Sequence, residues 1–250
     1  MFDGGRRDFW TIVRGMSDTD AEAQPISAEV EAYRYILTRI RLGELSPGAR
    51  VRTEDVAGAV GLSRQPVREA IRRLEAEGYL SSRPNYGAIV SKYTPDQLME
   101  LFEIRASLEG LSARTAAANL APADLDALEP LVARMEAAGT ETNAWLEAHL
   151  AFHMELARAA GRPRLGREIA RLHAALEPYL RLWYVHTGTP TDSREEHTRI
   201  LQALRSGYPG HAEEVMRDHV LETTPQIIAH LESTGQAMAT SSPGAASAAS

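Results

Sequence analysis

The sequence predicts a mainly α-helical protein in which a small winged helix-turn-helix unit precedes an all-α bundle of six helices, or seven. Residues 94–234 place apolar side chains at helical spacing and show no strand-like alternation. Residues 61–79 read GLSRQPVREAIRRLEAEGY, in which Gly61 breaks one helical pattern and a second helix follows within a turn. A short helix that follows another so closely is typical of a helix-turn-helix unit.

The second helix of this stretch presents polar side chains at its start. Ser63 stands where an N-cap belongs, so we expect its hydroxyl to accept a hydrogen bond from the first turn. Arg64 and Gln65 follow, and these residue types pair with guanine and adenine in the major groove. The opposite face is apolar through Val67, Ala70, Ile71 and Leu74. The pattern indicates a DNA-recognition helix, and the alternative is an amphipathic helix whose basic face is only solvated.

The elements on either side complete a winged helix. Apolar positions between Ser27 and Gly43 predict a first helix, and Thr53 opens a short second helix that ends at Gly61. After Gly78, the run LSSRPNYGAIVSKY places strand-like ends around a Pro-Asn-Tyr-Gly turn, which predicts a two-stranded wing.

Composition limits the class of protein. The 250 residues include no cysteine, which excludes disulfides and thiolate metal sites and is consistent with a reducing cytoplasm. No apolar run approaches the roughly 20 residues needed to span a bilayer, so no membrane partner is expected. The formal charge is −7, but residues 26–93 contain 11 Lys and Arg against 8 Asp and Glu. The front of the chain is therefore basic and the remainder acidic.

The run PGARVRTEDVAGAVGLSRQPVREAIRRLEAEGYL, followed by PNYGAIV, resembles the GntR family of bacterial transcription regulators. The resemblance implies a homodimer whose two winged helices read an inverted-repeat operator in double-stranded DNA. It also implies contacts to bases and phosphates from the recognition helix, and an approach of the wing tip to the minor groove. The residues concerned are Ser63, Arg64, Gln65, Arg68 and Gly87.

One position departs from the family pattern. Many members carry a DNA-contacting arginine in the helix before the turn, where this chain has Glu54, with Arg52 two residues earlier. We include Arg52 among the expected DNA-binding residues. The carboxylate of Glu54 is expected to repel phosphate unless it points away from the DNA.

Histidines mark a candidate metal site in the second half of the chain. His149 and His153 are spaced i, i+4 and project from one helical face, while His197 and His219 lie on two later helices. Metal ligands in helical bundles come from several facing helices, and neutral imidazole suits Zn, Ni, Cu or Fe. The alternative is a set of scattered surface histidines or hydrogen-bonded core histidines. The other histidines receive no role.

The segments EAHLAFHMELARAAGRPRL, REEHTRILQAL and AEEVMRDHV resemble the FCD ligand domain of the FadR-type GntR regulators. The resemblance implies a divalent metal held by His153, His197 and His219, with His149 at the fourth position, where Asp is usual. This replacement removes one negative charge, leaves the site a net dication and favours a nitrogen-preferring metal, Zn or Ni. The alternative is that His149 swings out and the site is weak. Arg162 replaces a frequent Asn and is expected to affect only a helix junction.

Arg105 lies where the family has an arginine that lines the effector cavity. Its guanidinium fork matches an effector carboxylate. The alternative is a simple surface pair with Glu109, one turn further along the helix.

Together these features predict an effector-responsive DNA-binding regulator, not an enzyme. The expected organisation is a disordered arm at residues 1–25, a winged helix at 26–93, an effector-binding and dimerisation domain at 94–234, and a disordered tail at 235–250. A direct metal sensor is one alternative. A metal-dependent enzyme is another, but no carboxylate stands beside the histidines in a recognisable general-base arrangement.

Overall fold

The computed structural model describes residues 27–188 and 193–233. Over this part of the chain the protein is a winged helix followed by a helical bundle, so the predicted fold class is confirmed. The predicted arm at 1–25 and tail at 235–250 lie outside the described residues. None of the described helices is long and apolar enough to cross a membrane.

The winged helix contains three helices and one antiparallel hairpin. Helix α1 spans Ala28–Arg41, α2 spans Thr53–Val60 and α3 spans Arg64–Glu77. Strand β1 covers Leu80–Arg83 and β2 covers Gly87–Val90. Leu80 pairs with Val90 and Arg83 with Gly87, so the Pro-Asn-Tyr-Gly segment forms the tip of the predicted wing.

Glycines in the left-handed conformation end both helices of the helix-turn-helix. Gly61 follows α2 with φ 68° and Gly78 follows α3 with φ 94°, a region that costs other residues steric strain. Ser63 occupies the N-cap position of α3, but its hydroxyl makes no capping hydrogen bond, so that prediction is wrong. Pro66 at the third helical position has no N–H, which removes one of the two usual donors to an N-cap side chain.

The apolar face of α3 is buried, as predicted. It packs with α1 around Ile36 and Ile40, and the hairpin adds Leu80 and Val90 to the same core. The buried residues of α3 are Val67, Ala70, Ile71 and Leu74. Four apolar side chains at helical spacing therefore fix which face of α3 turns inward, and the basic residues remain outside.

The second part is a bundle of seven helices within the described residues. The sixth predicted helix, which begins at Pro209, ends at Glu222, and a further helix starts at Thr224. The seven helices are α4 (Pro95–Asn119), α5 (Pro122–Ala138), α6 (Thr142–Ala159), α7 (Pro163–Thr187), α8 (Ser193–Arg205), α9 (Pro209–Glu222) and α10 (Thr224–Ser233).

Helix α7 connects the bundle to the winged helix. Its Ala174 is buried in the core of the winged helix. Its Glu177 pairs with Arg41 of α1, with Oε1 at 3.2 Å from Nε. The hydroxyl of Tyr179 accepts a hydrogen bond of 2.7 Å from the backbone N–H of Tyr93, which precedes α4. Apolar packing, an ion pair and a backbone hydrogen bond thus hold the two parts together through one helix.

Candidate metal, effector and DNA-binding sites

The four predicted histidines come together in the bundle. His149 and His153 lie one turn apart on α6, His197 lies on α8 and His219 on α9. One ring nitrogen from each lies within 4.8 Å of the others. Three of the side chains are buried and that of His219 is half-buried. They are therefore not scattered surface residues, and below we call them the histidine cluster.

Ring packing holds His149 inside the histidine cluster. Its imidazole stacks on Trp145 with ring centroids 4.7 Å apart and an interplanar angle of 20°. Its Nε2 lies 3.1 Å from Nε2 of His153. The side chain is buried, so the alternative in which His149 swings out is not the arrangement observed.

Burial keeps two of these imidazoles neutral. It lowers the pKa of His149 well below the ordinary value. Burial also lowers the pKa of His153 to about 3, although the adjacent Glu109 carboxylate acts in the opposite direction. Neutral imidazole is the form that binds metal, so the donor set fits a nitrogen-preferring divalent ion.

Glu109 on α4 is the centre of a buried polar network. Its Oε2 contacts Nδ1 of His153, while its Oε1 lies 2.5 Å from Nε of Arg105 and 3.0 Å from Nε2 of His173. Burial by itself raises the pKa of Glu109, but the hydrogen bond from His153 and the positive charge of Arg105 hold it well below its usual value. The ionised carboxylate fixes Nδ1 of His153 and leaves Nε2 directed at the other histidines.

Sequence reasoning missed two members of this network. The sequence indicates Glu109 only as a surface partner of Arg105, and it predicts no role for His173. Glu109 and His173 also form, with His153, a second group of potential metal ligands within 4.8 Å of one another. The i, i+4 spacing of Arg105 and Glu109 was a signal for their pairing, but nothing in the sequence around His173 indicated its contact.

Arg105 is buried rather than exposed. Its side chain and that of Glu109 are 4% and 2% accessible, so the pair exists but is not a surface pair. Arg105 also lines a cavity together with Trp145, His149 and His197. The cavity measures about 20 Å³, and a single water needs ~10–15 Å³ by the same kind of measure. The bundle must therefore open further to admit an organic ligand.

Every residue that the sequence predicts to bind DNA belongs to the winged helix. All six are exposed: Arg52, Ser63, Arg64, Gln65, Arg68 and Gly87. A groove of about 330 Å³ separates the wing from the helices, and Arg50, Arg52, Arg68 and Arg72 line it. Gly87, beside the tip of the wing, has φ 89°, a conformation that glycine adopts without the steric strain of other residues.

Glu54 points towards the recognition helix. Its Oε1 lies 3.5 Å from Nη1 of Arg64, and the two side chains are 56% and 65% exposed. Gln65 likewise donates a hydrogen bond of 2.9 Å to Oε1 of Glu69. Such exposed contacts are weak and are readily exchanged for contacts to DNA.

Comparison with known proteins decides the family. Residues 28–90 match the model described as bacterial regulatory proteins, gntR family, and residues 100–222 match the FCD domain. A protein named probable D-xylose utilization operon transcriptional repressor, from Paenarthrobacter nicotinovorans, is 34% identical over 193 residues, covering 76% of this chain and 84% of that protein. The chain belongs to the GntR family. Its FCD domain fits the FadR-like branch of the GntR family.

Other members of the GntR family agree in sequence and fold. The transcriptional regulator McbR of Escherichia coli K12 is 28% identical, over 72% of this chain and 84% of that protein. The solved structure of E. coli McbR/YncC matches with a TM-score of 0.66 and 27% identity, over 84% of this chain and 99% of that one. A regulator from Rhodococcus sp. RHA1 shares the fold, with a TM-score of 0.68 and 20% identity over 82% of this chain and 99% of that one.

These GntR-family relatives are transcription regulators. This chain is therefore a DNA-binding transcription regulator and not an enzyme, as the sequence predicted. Arg162, where the family often has Asn, lies exposed at the N-cap position of α7.

Proposed function

We propose that this GntR-family chain is a homodimeric repressor whose binding to an inverted-repeat operator is controlled by a small carboxylate in the metal-containing cavity of the bundle. The observation that carries the proposal is the convergence of three cluster histidines, His149, His197 and His219, and the buried Arg105 on one cavity. As a regulator of bacterial DNA, it would act in the cytoplasm. The name of the D-xylose relative supports repression rather than activation.

The metal would be held by His149, His153, His197 and His219, with Zn or Ni the ions that best suit imidazole ligands. When bound, it would supply a positive centre to which an effector carboxylate can coordinate. Glu109 would orient His153 through its Nδ1, as carboxylates commonly do behind metal-binding histidines. The Glu109 carboxylate balances the charge of Arg105, and Glu196, whose Oε2 lies 3.4 Å from Nδ1 of His219, adds a negative charge to the cavity wall. The attraction for the anion would therefore come from the positive charge of the ion itself.

Arg105 would grip the same carboxylate. Its hydrogen bond to Glu109 uses Nε, and a guanidinium carries donors on its two terminal nitrogens as well. The fork geometry of these donors suits a carboxylate. Because the cavity now measures about 20 Å³, effector binding must move its walls. That movement would transmit effector binding to the rest of the protein.

Helix α7 would carry the signal to the winged helix, which we also call the head. His173 on α7 contacts Glu109, which in turn contacts both Arg105 and His153. Ala174, the next residue, packs into the core of the winged helix. A ligand that displaces Arg105 would therefore act on α7 within two contacts and favour a different placement of the heads.

Operator binding under controlled metal and ligand conditions tests this function. DNA sites selected from genomic fragments are titrated with metal-loaded protein, and carboxylates are screened for release of the DNA. We expect one carboxylate to weaken operator binding at least tenfold, with no effect on the Arg105→Gln variant. Failure of the protein to select any DNA sequence would contradict the regulator assignment. Carboxylates that act equally on both proteins would contradict the role of Arg105.

Direct metal sensing is a second candidate, favoured by the small cavity. A space of about 20 Å³ accommodates an ion or one water without rearrangement, whereas an organic effector requires the bundle to open. In this case chelation alone would release the operator and metal would restore binding. An unchanged operator affinity after chelation would exclude metal as the signal.

A further inference from the structure

We infer a second ligand site, between the winged helix and the bundle, that binds a small aromatic monocarboxylate. A cavity of about 220 Å³ lies where α1 and α3 face α6 and α7. One water needs ~10–15 Å³ by the same measure, so this cavity has room for many waters and can take one ring with a short acid side chain. It is about ten times the volume of the cavity at the histidine cluster.

The walls of this interdomain cavity suit an aromatic body. Leu37, Leu150 and Ala174 supply apolar surface, and Tyr33 adds a ring. Met154 brings a thioether, which contacts aromatic rings favourably. Apolar walls with a few polar groups at one side are the usual composition of small-molecule sites.

The charge of the cavity selects an anion. Among the described residues that line it are four arginines and a single acidic residue, Glu77. Both oxygens of Glu77 are already engaged, Oε2 by the hydroxyl of Tyr33 at 2.5 Å and Oε1 by Nε of Arg73 at 3.0 Å. The charge of Glu77 therefore balances that of Arg73. Arg41 pairs with Glu177 and Arg171 with Glu168, so among these described residues the positive charge left without an ion pair is that of Arg167.

Arg167 is the guanidinium best placed to receive the carboxylate. It is exposed at the rim, and among the described residues it takes part in no ion pair. Arg171, one turn further along α7, pairs only with Glu168 of its own helix, at 3.1 Å and with both side chains about half exposed. An exposed pair of this kind contributes little, so Arg171 can turn to the same ligand.

This site is separate from the histidine cluster, although α6 contributes to both. Leu150 and Met154 line the interdomain cavity, whereas the residues before them, His149 and His153, belong to the cluster. Successive residues of a helix project about 100° apart, so α6 forms a partition between the two sites. The cavity at the cluster and the interdomain cavity share no lining residue.

A ligand here would contact the head and the bundle at once. It would therefore bias their relative placement, and the protein could respond to it with or without metal. This ligand site is independent of the effector site proposed at the metal cavity, so either proposal can be wrong while the other holds.

Calorimetric titration of full-length, chelator-treated protein with phenylacetate tests the proposal. Phenylacetamide, which has the same shape without the charge, is the ligand control. We expect phenylacetate to bind at least tenfold more tightly than the amide, and Arg167→Ala to weaken it about tenfold. Arg164→Ala, an exposed arginine of the same helix outside the cavity, should leave affinity unchanged. Ala76→Phe, which narrows the rim, should abolish binding while the melting temperature stays within the range of the wild type.

Three outcomes would overturn the inference. One is no binding of phenylacetate, or equal binding of acid and amide. Another is loss of binding in His153→Ala, which would place the ligand in the histidine cluster instead. The third is that the wild type does not bind phenylacetate while light scattering gives Arg167→Ala a different oligomer mass from the wild type. That result would mean that a second copy of the chain covers this face.

Discussion

Arg41 of the winged helix and Glu177 of the bundle form an ion pair of 3.2 Å across the junction between the two parts. Glu177 Oε1 also lies 3.5 Å from Nη2 of Arg181, so one carboxylate serves cations from both sides. Glu177 lies on α7, three residues beyond Ala174, which is buried in the core of the winged helix. The position of the head is therefore coupled to α7 by a directional contact as well as by apolar packing.

Breaking this pair should uncouple the effector from DNA. In Arg41→Gln, Glu177 keeps Arg181, so we expect a loss of only ~1 kcal/mol in unfolding free energy for this partly exposed pair. Operator affinity without effector should remain, while the change caused by effector should shrink at least threefold. Fluorescence anisotropy with labelled operator measures both. The control is Arg39→Gln, because Arg39 lies on the same helix as Arg41 and its exposed pair is with Glu44, just beyond the helix end. Full effector response in Arg41→Gln would show that apolar packing alone carries the signal.

Glu109→Gln should both destabilise the bundle and weaken the metal site. The change leaves Arg105 buried without its counter-charge, and breaking a buried pair from one side costs ~3–5 kcal/mol. Loss of the carboxylate behind His153 should lower metal affinity ~10–100-fold. Urea unfolding and competition with a chelating dye measure the two effects.

Two further variants control this result. Glu103→Gln changes an exposed carboxylate on the same helix and should have no effect on either quantity. Combining Arg105→Gln with Glu109→Gln should recover part of the lost stability, because no unpaired charge remains. Equal destabilisation by the single and double variants would mean that the charge balance of Arg105 is not the cause.

Arg64→Ala should remove most of the preference for operator over random DNA. A bidentate arginine contact to guanine contributes ~1–3 kcal/mol of discrimination, which is roughly 5- to 150-fold. Binding to random DNA should change much less, since phosphate contacts from other arginines remain. Anisotropy titrations against operator and scrambled duplexes give the ratio, with Arg114→Ala in the bundle as control. An unchanged ratio would show that Arg64 does not read bases.

Gly110 allows the close approach of α4 and α9 that brings His219 to the histidine cluster. A Cβ at Gly110 would lie 2.6 Å from Cγ of Arg217 and 3.2 Å from the backbone oxygen of Glu213. We expect Gly110→Ala to lower the unfolding free energy by ~1–3 kcal/mol through overpacking and to weaken metal binding.

Gly58 of α2 provides the control. An added Cβ there meets nothing within 4 Å, so Gly58→Ala should raise the unfolding free energy by ~0.5–1 kcal/mol. Thermal and urea unfolding compare the two, and stabilisation by both would exclude crowding at Gly110.

The spacing of apolar residues and the glycines that end helices predicted the fold, because both act through local backbone and packing rules. Val67, Ala70, Ile71 and Leu74 define one face of α3, and Gly61 and Gly78 end helices as expected. The predicted capping bond of Ser63 is not formed, and Pro66, which has no N–H, removes one of its two usual donors. The break at Thr223 divides the last predicted helix, and Pro225, in the first turn of the helix that follows, is the local signal that indicates it.

The candidate site was harder to predict because its network is tertiary. The i, i+4 pair of His149 and His153 indicated a shared face, and the bundle brings His197 and His219 to it. His173 reaches Glu109 only because α7 packs against α4, a contact between residues 64 positions apart. The burial of Arg105 and Glu109 likewise follows from packing, since their spacing alone is also typical of exposed helical pairs.

Metal content of the dialysed protein tests the central claim most directly. Elemental mass spectrometry should find about one Zn or Ni ion per chain in the wild type and in His211→Ala, which changes an exposed histidine of α9, but almost none in His153→Ala. Circular dichroism should show that all three proteins are folded. A wild-type protein that binds no Zn or Ni even after incubation with the ions would contradict the account, as would a folded His153→Ala variant that retains its metal.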